Sequence, residues 1–365
     1  MGLKVRKLAA IIALSLIPTF LVWFPFFARL KEFWNIPLPQ NGMATIVANY
    51  DGPLYLVAAK TFYNKEAIKA NYQFPLSTEY YTAHFPLFPA LIRVGSIVAN
   101  YPYAMLAVTL ASSFLALYFF YKLTGSLFLT FIFSIFPARW LIVRSVGSAD
   151  PLFVTGILAS LYFFRSKKYL WAGIWGAIAQ FTKSPGILLF ISYLAYFIFS
   201  KNYNFKKYLP ILLIPLSLLL VFTIYYFTTG DFFAYFKSGD NIHLFFPPFQ
   251  IFNYSAPWVG TFWIEEAIFI YLLGALGIYK LFQKKEFEYA IFSAIFFLST
   301  LFVSHRDLIR YSLPIVPFLL LAYSETLIKK EFKIALAVII IPIYLFSLAF
   351  ISQNVMPISN WSPFL

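Results

Sequence analysis

Apolar stretches of about 20 residues recur along the whole 365-residue chain. Each is long enough to cross a hydrocarbon layer roughly 30 Å thick. A backbone inside that layer must satisfy its own N–H and C=O groups, which leaves only α-helices or a closed barrel. The short alternating segments of a barrel are missing from the pattern. Composition agrees, with 61% of residues hydrophobic and only 12% charged, far from a soluble enzyme or a disordered chain. The chain reads as an all-α polytopic membrane protein. Without a single Cys it has no disulfide framework, no thiol nucleophile and no thiolate metal site.

Eleven runs are placed at 8–28, 103–121, 126–146, 150–164, 169–183, 186–200, 208–228, 261–282, 288–304, 309–327 and 333–351. The connections between them alternate in charge. One set, with the N-terminus, carries 16 bases against four acids (Glu286, Glu288, Glu325 and Glu331). The positive-inside rule puts that set in the cytoplasm. The formal charge of +14 is then mainly an orientation signal, and no nucleic acid partner is expected. The first run is read as an uncleaved span, because it is too long for a signal peptide and no small-residue cleavage site follows it.

Phe85–Ala99 is also apolar, but counting it as a span breaks the charge alternation. Pro86, Pro89 and Arg93 favour a helix lying at the outer interface. The expected architecture is therefore one transmembrane domain over 1–365, with about 11 spans and an interfacial helix. A long first extracytoplasmic segment covers 29–102, and a second external loop covers 229–260. The membrane is a plasma membrane or an ER-like one. No internal repeat, phosphate loop or HExxH motif is present.

The chain has 14 acids, so each can be weighed. Asp51, in Ala48-Asn-Tyr-Asp-Gly-Pro-Leu-Tyr55, reads on its own as the start of a turn. Asp150, in Arg144-Ser-Val-Gly-Ser-Ala-Asp-Pro-Leu-Phe153, reads as an N-cap with Pro151 at the first helical position. Lys183 reads as a snorkelling base, and Arg306 as the partner of Asp307. Yet these groups and Arg310 all fall at one side of the membrane. Bases beside two carboxylates at one depth make an anion site next to an acid–base site, and a lipid phosphate is the natural anion there.

Asn49-Tyr-Asp-Gly-x-x-Tyr55, followed by His84-Phe-Pro-Leu-Phe-Pro-Ala-Leu-Ile-Arg93, resembles the GT-C superfamily of membrane glycosyltransferases. Within it, the PIG-V-like family is the nearest branch, named for the enzyme that adds the second mannose of the GPI anchor. Gly147-Ser-Ala-Asp-Pro-Leu-Phe153, Phe181-Thr-Lys-Ser-Pro-Gly186 and Arg310-Tyr-Ser-Leu-Pro314 follow in that family's order. Tyr50 stands where the family has Trp, Asp150 where it has Glu and Lys183 where it has Arg. Residues 200–300 match no motif.

The resemblance implies transfer of a sugar, mannose first, from a polyprenyl- or dolichyl-phosphate donor with inversion, on the extracytoplasmic face. The acceptor is a hydroxyl of a glycan, glycolipid or protein. It makes Asp51 the base and Asp150 a group that orients the acceptor or the sugar or supports the base, with Tyr55, His84, Lys183, Arg306, Arg310 and Tyr311 binding substrate. No cofactor is expected. A divalent metal would have Asp51 and Asp150 to share, but no Asp-x-Asp pair occurs. The competing reading is a secondary transporter or lipid flippase. It places ionisable groups near the bilayer midplane. In this chain the acids sit mostly at the ends of runs, and charge in the middle of a run is nearly absent, with Arg139, after Pro137, the exception.

Overall fold

The computed structural model describes residues 2–365 except 73, 202–204, 240–242, 254 and 256–264. It is mostly helical. Five helices are long and apolar enough to cross a membrane: Val5–Phe27, Tyr101–Thr124, Lys206–Thr229, Glu266–Gln283 and Lys330–Gln353. Their outward faces are apolar as well. Ile17, Phe24, Leu216, Leu272 and Val338 are all more than half exposed, as helices solvated by lipid require. The chain is an integral membrane protein.

The remaining helices are shorter. Asp150–Arg165, Tyr169–Thr182, Ile187–Ser200 and Phe287–Thr300 correspond to runs located in the sequence. Two expected continuous spans are broken. The run 126–146 divides into Leu127–Ile135 and Ala138–Val143, on either side of Pro137. The run 309–327 divides into Leu308–Tyr311, a 3-10 turn at Leu313–Ile315, and Val316–Ala322. The physical reason is proline. Pro137, Pro314 and Pro317 cannot donate to the helical ladder, and hydropathy alone does not register that loss.

One buried cation bridges the first of these interruptions. Arg144 is fully buried, and its guanidinium donates to the carbonyls of Ser134 and Ser15. Ser134 lies just before the break at Pro137. Ser15 lies in the first helix beside Leu14, whose carbonyl has lost its usual donor because Pro18 has no N–H. Arg144 thus ties the first helix to the broken run through backbone acceptors.

Close helix contact depends on glycine. A Cβ at Gly173 would stand 2.0 Å from the Pro210 carbonyl oxygen, and one at Gly156 would stand 2.8 Å from Ala179. These absences let the Tyr169–Thr182 helix lie against both Asp150–Arg165 and the start of Lys206–Thr229.

Between the first two long helices, the segment 29–102 folds into a small antiparallel hairpin, Glu32–Phe33 with Ile36–Pro37, and a series of short helices. Gly52–Thr61 and Leu87–Gly95 pack on each other and on Tyr101–Thr124. Leu87–Gly95 buries Phe88, Pro89 and Ile92, while Val94, Ile97 and Val98 beyond its other face are exposed. The loop expected over 229–260 contributes a 3-10 turn at Ala234–Lys237 and a bridge from Leu244 to Val303. Its residues 240–242, 254 and 256–260 lie outside the described ones.

Candidate active site

Asp51 sits immediately before the Gly52–Thr61 helix, but its side chain does not cap that helix. It turns instead into a cavity. The preceding turn is anchored on the end of the last long helix. Asn49 is fully buried and donates to the Ile351 carbonyl at 2.7 Å, and the Met356 amide donates to the Ala48 carbonyl at 2.8 Å. Tyr50 takes a positive φ of 50°, an uncommon conformation for a side chain of its size. A Cβ on Gly52 would lie 2.3 Å from the Val47 carbonyl and 3.5 Å from that of Gly147. That closeness brings the Asp51 turn against the loop leading to Asp150.

Asp150 is the first residue of its helix, with Ala149 at the cap position expected for Asp150 itself. Its carboxylate is buried and serves as a junction. The Ser148 hydroxyl donates to it at 2.8 Å, Arg310 Nε at 2.9 Å, and Lys183 Nζ to the other oxygen. Lys183 occupies the kink after Thr182, where the chain ends one helix and starts the next. Arg310 also reaches Asp51, through Nη2 at 3.2 Å. One guanidinium therefore joins two carboxylates 99 positions apart in sequence.

A cavity of about 270 Å³ is lined by Asp51, Tyr55, His84, Asp150, Lys183 and Arg310, with Tyr80, Tyr311, His243 and His305 among the other walls. Seven of the eight sequence-chosen site residues share it. The eighth, Arg306, is exposed and does not line it, so the expectation that it joins the group is not met. Nor does Arg306 pair with Asp307. That carboxylate is buried and binds Arg139 Nε at 2.5 Å and the Tyr50 hydroxyl at 3.0 Å. One residue of offset sends the two neighbours to opposite sides of a short turn.

The Asp51 side chain is 36% exposed and lines the cavity. Burial pushes its carboxyl up, but Arg310, His84 and Lys183 together outweigh that and hold it below the usual carboxylate range. His84 goes down, because burial outweighs the pull of Asp51, and its imidazole is neutral at pH 7. Its ring meets Tyr55 edge-on at 4.8 Å, and Tyr63 donates to its carbonyl at 2.6 Å. His305 is brought down to about 4 by burial and by His243, whose ring lies 4.7 Å away. Nothing in the sequence singles out His243 and His305 beyond their being two of three His, because their loops meet only in the fold.

Among the described residues no three His, Cys, Asp or Glu side chains gather as a metal site. Asp51 and Asp150, the two carboxylates that a metal would have to share, are each paired with a cation.

A second, apolar cavity of about 330 Å³ adjoins the first. Phe85, Leu188, Leu218, Phe222 and Val303 line it, and Ser184, Pro185, Tyr235, His243, Phe296 and Tyr311 belong to both. The arrangement offers ionised carboxylates, spare N–H donors on Lys183 and Arg310, and an apolar channel leading to them.

No family model matches the chain, and no curated protein does either. Solved structures do. ArnT from Cupriavidus metallidurans bound to undecaprenyl phosphate aligns with TM-score 0.54 and 12% identity, over 86% of this chain and 60% of that one. ArnT from the same organism in the apo state aligns with TM-score 0.52 and 13% identity, over 86% and 59%. ArnT is a GT-C superfamily membrane glycosyltransferase. The fold here is similar to that of ArnT. The chain spans about 60% of the length of the structures it matches.

Proposed function

We propose that this chain is an inverting glycosyltransferase that moves a sugar from a polyprenyl-phosphate donor to an acceptor hydroxyl. One observation carries the reading: Asp51, Asp150, Lys183 and Arg310 meet in a polar cavity that opens onto an apolar one. Such a pair of compartments suits a ligand with a charged head and a hydrocarbon tail. The likeness in fold to ArnT, seen bound to undecaprenyl phosphate, supports the same class of donor. A transporter reading gains nothing from this placement, since the carboxylates cluster at helix starts around one cavity.

In the proposed chemistry Asp51 takes the proton of the acceptor hydroxyl as the new C–O bond forms at the anomeric carbon. The bond from that carbon to the phosphate oxygen breaks, and the leaving lipid phosphate gains charge. Lys183 and Arg310 stabilise that charge with N–H donors not engaged by the carboxylates. Asp150 holds both cations in place. Tyr55, His84 and Tyr311 shape the sugar site. Mannose is the sugar we favour, on the PIG-V-like motifs, and Lys183 and Arg310 fill the place that a metal would take.

Purified protein is to be given polyprenyl-phosphate mannose and an acceptor mixture, with and without a chelator. Release of polyprenyl phosphate, undiminished by the chelator, is expected. Absence of release with mannose and with a panel of other polyprenyl-phosphate hexose and pentose donors alike refutes the reading.

A further inference from the structure

Three residues outside the cavity converge on Arg310. The Tyr50 ring lies under its guanidinium, with the guanidinium carbon 4.2 Å from the ring centroid. The Tyr50 hydroxyl donates to Asp307 Oδ2 at 3.0 Å. The other Asp307 oxygen receives Arg139 Nε at 2.5 Å. Arg139 is itself held flat, 3.7 Å from the Phe350 centroid on the last long helix. Tyr50 leans on that same Phe350 ring at 5.3 Å. None of Tyr50, Asp307 or Arg139 lines the cavity.

Each link has a physical purpose. A guanidinium is planar, and a ring face beneath it favours one orientation of its N–H edge. With Tyr50 fixed at its hydroxyl, Arg310 has its Nε edge aimed at Asp150 and Nη2 at Asp51. The Asp307 backbone acts too: its carbonyl accepts the Arg310 amide at 2.9 Å and sets the turn that presents the side chain. The 6% exposure of Asp307 means that its charge is not satisfied by solvent, so Arg139 is the cation that makes its burial tolerable.

The geometry points to Arg139, Asp307 and Tyr50 as positioning residues for the sugar transfer, a strap that aligns the Arg310 guanidinium with the leaving phosphate. The assignment rests on the transferase reading above. It adds that reactivity depends on residues that never touch substrate.

The test is a double-mutant cycle in kcat, using the full-length protein in detergent and a polyprenyl-phosphate mannose donor. Tyr50→Phe keeps the ring and removes the hydroxyl; Asp307→Asn keeps the shape and removes the charge. Each is expected to lower kcat roughly 10- to 100-fold, the scale set by small misplacements of catalytic groups, with donor KM little changed. Arg310→Lys abolishes the planar contact. In that background Tyr50→Phe is expected to cost less than about twofold more, because the strap no longer has a plane to align.

Losses that multiply in full in the Arg310→Lys background overturn the assignment, since a merely structural role acts independently of Arg310. An unchanged kcat for Tyr50→Phe overturns it as well. If Asp307→Asn fails to accumulate, Tyr50→Phe alone decides, as it deletes one oxygen and leaves Asp307 paired with Arg139. A wild type inactive with every donor brings down the transferase reading and this assignment together, whereas an active wild type with multiplicative losses removes only the assignment.

Discussion

Asp51 stands in two opposed fields, with burial raising its carboxyl and Arg310, His84 and Lys183 lowering it further than burial lifts it. A depressed carboxyl is ionised throughout the neutral range. It stabilises the fold above the ordinary carboxylate range, and this contribution is lost as pH falls through its lowered value. The same sign governs the proposed catalysis. Transfer is expected to show no acid limb from Asp51 between about pH 5 and 8, measured as kcat/KM against pH. An acid limb inside that window would assign the proton to a group other than Asp51. Asp51→Asn is expected to keep the fold, with a modestly lower melting temperature, and to lose roughly 10²–10⁴-fold in turnover, the usual worth of a general base. A depressed carboxylate is a weak base, so its proton transfer must come late, when the attacking oxygen has already become acidic. Arg310 can ease this: when the donor phosphate draws part of its charge, the hold on Asp51 relaxes.

The helices follow from their sequences wherever apolar length decides and fail to follow wherever one residue interrupts the ladder. Run lengths located the long helices, because the thickness of lipid imposes a minimum that hydropathy can read. They did not reveal the breaks at Pro137 and around Pro314, since these are local losses of a donor inside apolar stretches. Site residues were legible where a short motif placed them, as with Asp51, His84, Asp150, Lys183 and Arg310. The Tyr50–Asp307–Arg139 strap was not, since its members are separated by up to 257 positions and only packing brings them together. Helix contact gives a separate measurement. Gly173→Ala places a methyl group 2.0 Å from a backbone oxygen that has nowhere to retreat. It is expected to destabilise by about 1–3 kcal/mol, seen as a lower Tm in detergent. Gly125→Ala meets nothing within 4 Å, and costs only the strain of its φ of +66°, about 1 kcal/mol. Equal Tm values for the two variants would contradict tight packing at Gly173.

For the molecule as a whole, the charge alternation sets an orientation that a chain without Cys makes easy to measure. On the expected eleven spans, the N-terminus and Lys167 are placed in the cytoplasm and Asn360 outside. Cysteines introduced at 167 and 360, treated with a membrane-impermeant maleimide on intact cells, are expected to label only at 360; labelling at 167 from outside overturns the topology. On that orientation the proposed transferase site faces away from the cytoplasm, where no nucleotide pool supplies activated sugars and a lipid carrier is the expected source. The pairing of Lys183 and Arg310 with Asp150 and Asp51 has a bearing on how that carrier is chosen. Two positive and two negative groups cancel, so the resting cavity projects little field beyond its mouth. Dissolved phosphate, sulfate or chloride is given no electrostatic invitation. A phosphate towed by a hydrocarbon chain needs none, because the chain's preference for the apolar channel brings the head group within reach of donors that are silent at a distance. Discrimination between lipid-bound and free anions then rests on the path of arrival, and salt in the surrounding fluid becomes a bystander.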